Sequence, residues 1–320
     1  MKGRLLALGT LGPVIALVAA SAFFATQSER FLTGDNLSIV LQQVMVIGVI
    51  AIGQTLVILT AGVDLSCGMV MALGGIVMTK VAAEYGVAVP LALMAGIAAT
   101  TLFGALNGVL VTRLRLPPFI VTLGTLNIAF AVTQLYSNSQ TITEIPSGLT
   151  ALGNSVQIGG TSVVYGVLVM LLLYGAAAFV LSQTAAGRHV YAVGNNPEAA
   201  RLSGIATQRV LLTVYVLAGL CYGIAALLSV ARTGVGDPNA GQTDNLDAIT
   251  AVVVGGTSLF GGRGMVLGSL VGALIVGVFR NGLTLMGVSS VYQMLATGIL
   301  VILAVAIDQF SRRVAQRGAP

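Results

Sequence analysis

Charge is scarce in this sequence. Of 320 residues only 8% are Asp, Glu, Lys or Arg, while 56% are hydrophobic. Soluble domains carry about 25% charged residues. So few charges cannot cover a water-facing surface, which excludes a soluble globular protein and leaves an integral membrane protein. Histidine is scarcer still: His189 is the only one, and it sits in a polar loop. No His, Cys and carboxylate cluster has metal-ligand spacing, and no GxxxxGK[ST] loop is present to cradle phosphate. Catalysis is therefore not expected, and any energy taken from a nucleotide must come from another chain. The two cysteines, Cys67 and Cys221, lie in apolar surroundings and read as small apolar residues rather than a disulfide framework. Tryptophan is missing altogether, so the interfacial belts fall to Tyr and Phe. The net charge of +5 does not point to nucleic acid in so apolar a chain, because basic residues there mark cytoplasmic loops.

Long apolar runs are what the sequence has in abundance. About 20 such residues cross the hydrocarbon core. Runs of that length lie near 8–26, 37–60, 65–83, 88–112, 117–136, 163–183, 210–231, 264–283 and 291–308. A shorter one near 246–260, Gly-rich at its end, reads as a tilted or broken span and makes ten. The N-terminal run has the basic start and small residues of a cleaved signal peptide, but the rest of the chain needs a membrane anyway, which favours an uncleaved first span. With the N-terminus inside, eleven of the fifteen Lys and Arg residues fall on the cytoplasmic side, as the positive-inside rule requires. Omitting the short run would turn the basic tail (Arg312, Arg313, Arg317) outward. The expected fold is all-α integral membrane, with about ten transmembrane helices, N-in and C-in, in one domain over 1–320. Two polar loops result, 137–162 outside and 184–209 inside.

An internal repeat is expected as well. "VDLSCGMVMALGG" (63–75) aligns with "DNLDAITAVVVGG" (244–256), setting Leu65 on Leu246 and Gly74-Gly75 on Gly255-Gly256. Five spans separate the copies, which would make them inverted, a common transporter plan.

Polar residues in or beside spans are the candidates for a pathway. Gln54, Asp64, Ser66, Asn107, Asn127, Asp247 and Asn281 are singled out. Their neutral members either form interhelical hydrogen bonds or match the hydroxyls of a neutral polar solute. Asp64 and Asp247 either line a pathway or cap the helices that begin there. Carboxylates in mid-span, expected of an ion-coupled carrier, are scarce. The 41 glycines allow close helix approach.

One polar stretch, "NNPEAARLSGI" (Asn195–Ile205), interrupts this apolar pattern. Asn195, Asn196 and Pro197 form a helix start. Glu198 suits the first turn, Ala199 and Ala200 are small, Arg201 follows, and Gly204 suits a helix end. A helix of about two turns on the cytoplasmic side is expected. It is too short to be stable alone, so it must pack on its own spans or in a partner's groove.

The same stretch resembles the E-A-A-x-x-x-G motif of ABC importer permeases through Glu198, Ala199, Ala200 and Gly204. With "GVDLSCG", "NGVLVTRLRLPPFIVTLGT", "LDAITAVVVGGTSLFGGRG" and "GVSSVYQML" in order, residues 32–309 resemble the permease subunits of bacterial ribose-type (monosaccharide) importers. The I-x-L-P ending of other importer groups is not present after Gly204. The resemblance implies a subunit of the bacterial inner membrane working with a cytoplasmic ABC ATPase, a periplasmic sugar-binding protein and a second permease, identical or paralogous. It implies that ATP and Mg belong to the ATPase and that Asn195–Ile205 couples to it, passing motion to the sixth and seventh spans. The rival is a secondary transporter or channel for a neutral polar solute, working without an ATPase.

Overall fold

The computed structural model describes residues 2–317, and it is helical nearly throughout. In chain order the helices are α1 (Lys2–Gln27), α2 (Gly34–Leu59), α3 (Cys67–Ala83), α4 (Val89–Thr112), α5 (Pro118–Ser137), α6 (Tyr165–Gln183), α7 (Ala185–Asn195), α8 (Pro197–Leu202), α9 (Thr207–Thr233), α10 (Asp244–Val254), α11 (Val266–Leu285) and α12 (Ser290–Arg317). Among the described residues six helices, α2, α4, α5, α6, α9 and α11, are long and apolar enough to cross a membrane. Shorter apolar helical stretches run over Leu11–Gln27, Cys67–Ala83 and Ser290–Leu303.

Local chemistry sets the helix ends. Thr33 caps α2, its hydroxyl accepting from the Asn36 amide. Pro118 opens α5, which ends on a left-handed Asn138. Gly234, also left-handed, stops α9.

The core is built around α2, which is buried at every position from Val44 to Leu59. It packs against α9, α11, α10 and α6, while α3 packs on α4, α9 and α5. A helix buried all round must be apolar all round, which explains why α2 carries no polar stripe. Small residues set its neighbours' spacing. Gly104 of α4 meets Gly219 of α9, where a Cβ on Gly104 would lie 3.0 Å from the Gly219 Cα.

Two expected loops are structured. Within 137–162, two short 3₁₀ turns precede an antiparallel hairpin of β1 (Ser155–Ile158) and β2 (Thr161–Val164), in register Ile158 with Thr161. Gly159 and Gly160, both at positive φ, form its turn, as two-residue hairpins require. Within 184–209, α7 forms where only a loop was expected. Its Thr184 cap accepts from the Gly187 amide.

The short run near 246–260 is helical only over α10, eleven residues, and it begins a turn earlier than the repeat alignment implied. Irregular chain over 234–243 leads into it. The N-termini of α3 and α10 meet: a Cβ on Gly68 would overlap the Gly241 carbonyl oxygen and lie 3.4 Å from the Asn245 amide nitrogen. The Asn245 side chain donates to the Leu65 carbonyl at 3.2 Å.

Candidate functional site: a capped helix pair and a buried polar network

The stretch Asn195–Ile205 is not one helix. Asn195 ends α7, and Asn196 starts α8 as its cap, its Oδ1 accepting from the amides of Glu198 (3.1 Å) and Ala199 (2.9 Å). The end of α8 is closed by the Ile205 amide on the Ala200 carbonyl and the Gly204 amide on the Arg201 carbonyl, both 3.0 Å. Gly204 has φ +86°, a conformation that favours glycine. On the surface of α8, the Arg201 guanidinium bonds both carboxylate oxygens of Glu198, at 2.6 and 3.2 Å. That bond and charge hold the Glu198 carboxyl below its usual range.

The Ala-Ala pair divides in role. Ala200 is buried against the chain's own body, whereas Ala199 faces out and Leu202 is 75% exposed. Asn196→Ala should cost about 1 kcal/mol of cap energy. Hydrogen exchange at the Glu198 and Ala199 amides should quicken accordingly, and unchanged exchange there would contradict the cap assignment.

Behind α8, α7 is seated against the backbone of two other segments. Leu59 at the end of α2 accepts from the Gly262 amide at 2.9 Å. A Cβ on Gly194 would overlap the Leu59 carbonyl oxygen and lie 2.7 Å from the Gly262 nitrogen. Tyr191 donates to the Gly264 carbonyl at 2.9 Å, and partial burial pushes its phenol up. So α7 bears on α2 and on the turn between α10 and α11, beyond the expected sixth and seventh spans. No local sequence signal pointed to that junction.

Four of the seven pathway candidates converge in one buried network. Asp64 Oδ1 accepts from the Ser66 amide (2.9 Å) and hydroxyl (2.6 Å), and Oδ2 accepts from the Tyr222 hydroxyl at 3.1 Å. Gln54 donates to the Asp64 carbonyl at 2.9 Å. Asn107 donates to the Ser66 hydroxyl at 3.0 Å and accepts from Thr125 at 2.8 Å. The network ties α2, α4, α5 and α9 to the lead-in of α3. Asp64 does not cap α3; Ser66 holds that position, and Asp64 forms the turn before it.

The other three lie apart. Asp247 is one turn inside α10 rather than at its cap, buried and paired with Arg280 at 3.1 Å. Asn281 exchanges reciprocal 2.9 Å hydrogen bonds with Asn36, fastening α11 to α2. Asn127 is exposed on α5 and donates to the Leu123 carbonyl of its own helix.

The likenesses to known proteins agree with this architecture. The family described as branched-chain amino acid transport system / permease component matches residues 36–305. A fructose import permease protein of Rhizobium meliloti is 45% identical, over 95% of this chain and 86% of its own. A ribose import permease protein of Escherichia coli K12 is 41% identical, with 92% of each chain covered. A xylose transport system permease protein of Haemophilus influenzae is 31% identical over 94% of this chain and 96% of its own. No solved structure matches the chain significantly. By the extent of these matches, the chain belongs to the family of transport-system permease components and is a multi-pass membrane protein of the sugar-importer kind.

Proposed function

We propose that this chain is the transmembrane permease subunit of an ATP-driven ABC importer, moving a monosaccharide such as ribose or fructose across the bacterial inner membrane by alternating access. The single observation that carries the coupling is α8: capped at both ends, anchored by Ala200, and otherwise exposed, Leu202 included. In this reading Asn196 to Gly204 dock in a groove of a cytoplasmic ATPase, which holds the ATP and Mg, while this chain holds no cofactor. A periplasmic sugar-binding protein delivers the solute, and a second permease completes the assembly.

Ten crossings, N-in and C-in, in one domain fit the helices if α7 and α8 lie on the cytoplasmic side. The eighth crossing is α10, roughly 16 Å long at 1.5 Å per residue, about half the ~30 Å hydrocarbon core. The irregular segment 234–243 supplies the remainder. Irregular backbone is tolerated at that depth where it lines a cavity, and residues of this segment line one of about 470 Å³. The inverted repeat is supported by mirrored packing: α4 on α9 answers α11 on α2, α3 on α4 answers α10 on α11, and α3 on α5 answers α10 on α12. Asp247 belongs to the pathway through Arg280, while Gln54, Asp64, Ser66 and Asn107 hold the start of α3 beside it. Asn281 sets α11, and Asn127 stands at the outer face of α5.

Glu198→Arg and Gly204→Trp test the coupling. Each should leave membrane insertion intact while lowering sugar uptake and sugar-stimulated ATP hydrolysis about 5- to 150-fold, the span of typical coupling free energies. Normal uptake in both would remove the assignment. Uptake driven by a gradient in vesicles lacking the ATPase would favour the secondary-transporter reading instead.

A further inference from the structure

The 137–162 loop contains one charged residue, Glu144, and none lies between Asn154 and Tyr165. The β1–β2 hairpin that fills this charge-free stretch turns an apolar face outward. Side chains alternate along a strand, and directly paired residues share a face. Val164, paired with Ser155, is buried, so Ser155, Gln157, Ser162 and Val164 form the inner face. The outer face carries Val156 and Ile158, 41% and 57% exposed, with Val163 half-buried beside them. Polar in and apolar out is the reverse of a hairpin with one face in water. β2 packs on α2, which leaves β1 as the open edge. An apolar edge strand left open to water is an aggregation site unless something covers it.

Two membrane helices fix where this face lies. The base of the hairpin runs into α6 at Tyr165 with no residue between β2 and the helix. Its tip rests on the start of α2: a Cβ on Gly34 would overlap the Gly160 carbonyl oxygen, and the Ser38 hydroxyl donates to the Ser162 carbonyl. The hairpin therefore bridges the first turns of two helices and lies beside the start of α2, not above it. α6 has 19 residues, about 28 Å at 1.5 Å per residue, against a hydrocarbon core of about 30 Å. Its first residue then sits at the edge of the core, and the hairpin joined to it sits there too. Tyr165 itself is 43% exposed, in the place tyrosine takes at membrane interfaces.

We propose that the β1–β2 hairpin is a membrane-interface anchor, with Val156 and Ile158 set among lipid headgroups and the first methylenes below them, where it ties the starts of α2 and α6 to one level of the bilayer. The headgroup zone holds water and polar groups that can bond the open backbone edge of β1, which the hydrocarbon core cannot do. A soluble protein partner would have to reach this face past the flank of α2, and the face offers no charge to steer it there. The anchor requires only that the chain cross the membrane, whatever it carries and whatever drives it.

Tryptophan fluorescence tests it. The chain has no tryptophan, so a single introduced one reports its own surroundings. Positions 156 and 158 are exposed, so added bulk there meets lipid or water rather than core. The full-length chain would be reconstituted in phosphatidylcholine vesicles as Val156→Trp, as Ile158→Trp and as Glu144→Trp, the last exposed elsewhere in the same loop. Both hairpin reporters should emit to the blue of Glu144→Trp. Phosphatidylcholine brominated near its headgroup should quench both, bromination at the chain ends should quench them less, and Glu144→Trp should respond to neither. Hairpin reporters that emit as Glu144→Trp does and escape quenching would overturn the anchor. Stronger quenching from the chain ends would place the hairpin in the core and overturn the interfacial assignment. Unquenched reporters whose emission shifts when a sugar-loaded binding protein is added would make this face a protein-docking surface instead.

Discussion

Gly194→Val abolishes sugar import while the chain still inserts and still binds its ATPase. The position allows no side chain. A Cβ there would overlap the Leu59 carbonyl oxygen and press on the Gly262 nitrogen, both of them backbone, so no flexible side chain can yield. The Leu59–Gly262 hydrogen bond holds those two segments together, which leaves α7 as the part that must move. Overpacking of this kind costs about 1–3 kcal/mol, enough to lift a short helix from its seat and too little to prevent insertion of a chain with so much buried apolar surface. Once α7 is displaced, α8 remains available to the ATPase and loses its purchase on α2 and the α10–α11 turn. Uptake into vesicles should fall more than about tenfold, and ATP hydrolysis should no longer respond to sugar. Gly175→Val, on α6 with open space around it, should import normally. Full import by Gly194→Val would show that the junction transmits nothing.

Asp64→Ala should prevent the chain from accumulating in the membrane, whereas Asp64→Asn should accumulate and transport. The alanine strands three buried donors, the Ser66 amide, the Ser66 hydroxyl and the Tyr222 hydroxyl, at about 1–3 kcal/mol each. Asparagine keeps one acceptor for Ser66, and its amide donates to the Tyr222 oxygen, because a hydroxyl works in both directions. Membrane yield and the thermal unfolding midpoint read the difference. If Asp64→Asn folds as well as the parent and fails to transport, the carboxylate acts on the solute and its role is not confined to the network.

Particular residues explain how far the sequence was legible. Asn196-Pro197 and Gly204 announced the ends of α8 because caps are local chemistry, encoded within a few residues. α7 was missed although Thr184 is a cap residue and Val190 and Val193 are buried together; Gly187 and Gly194 made the segment look like loop, and both are glycine because backbone from elsewhere lies against them. The hairpin had a visible sign too, Gly159-Gly160 between two short β-branched runs. Gln54, Asp64, Ser66 and Asn107 were found as polar residues in apolar runs, but their convergence depends on which helices meet, and no local pattern states that. The same holds for Gln43, Arg232 and Asp244, which are drawn to one cavity from three separate segments of chain.

The meeting of α3 and α10 end to end has a consequence for what the protein lets through. A helix N-terminus carries about half a positive charge, so two of them abutting in a low-dielectric interior would form a barrier to cations and a trap for anions. Asp64 stands at one end, Asp244 and Asp247 at the other. Three carboxylates outweigh the paired dipoles, and Arg232 and Arg280, beside Asp244 and Asp247, offset two of them, so the junction as a whole carries little net charge. Removing any one of these five side-chain charges would leave the junction with a net charge, and so with an affinity for ions.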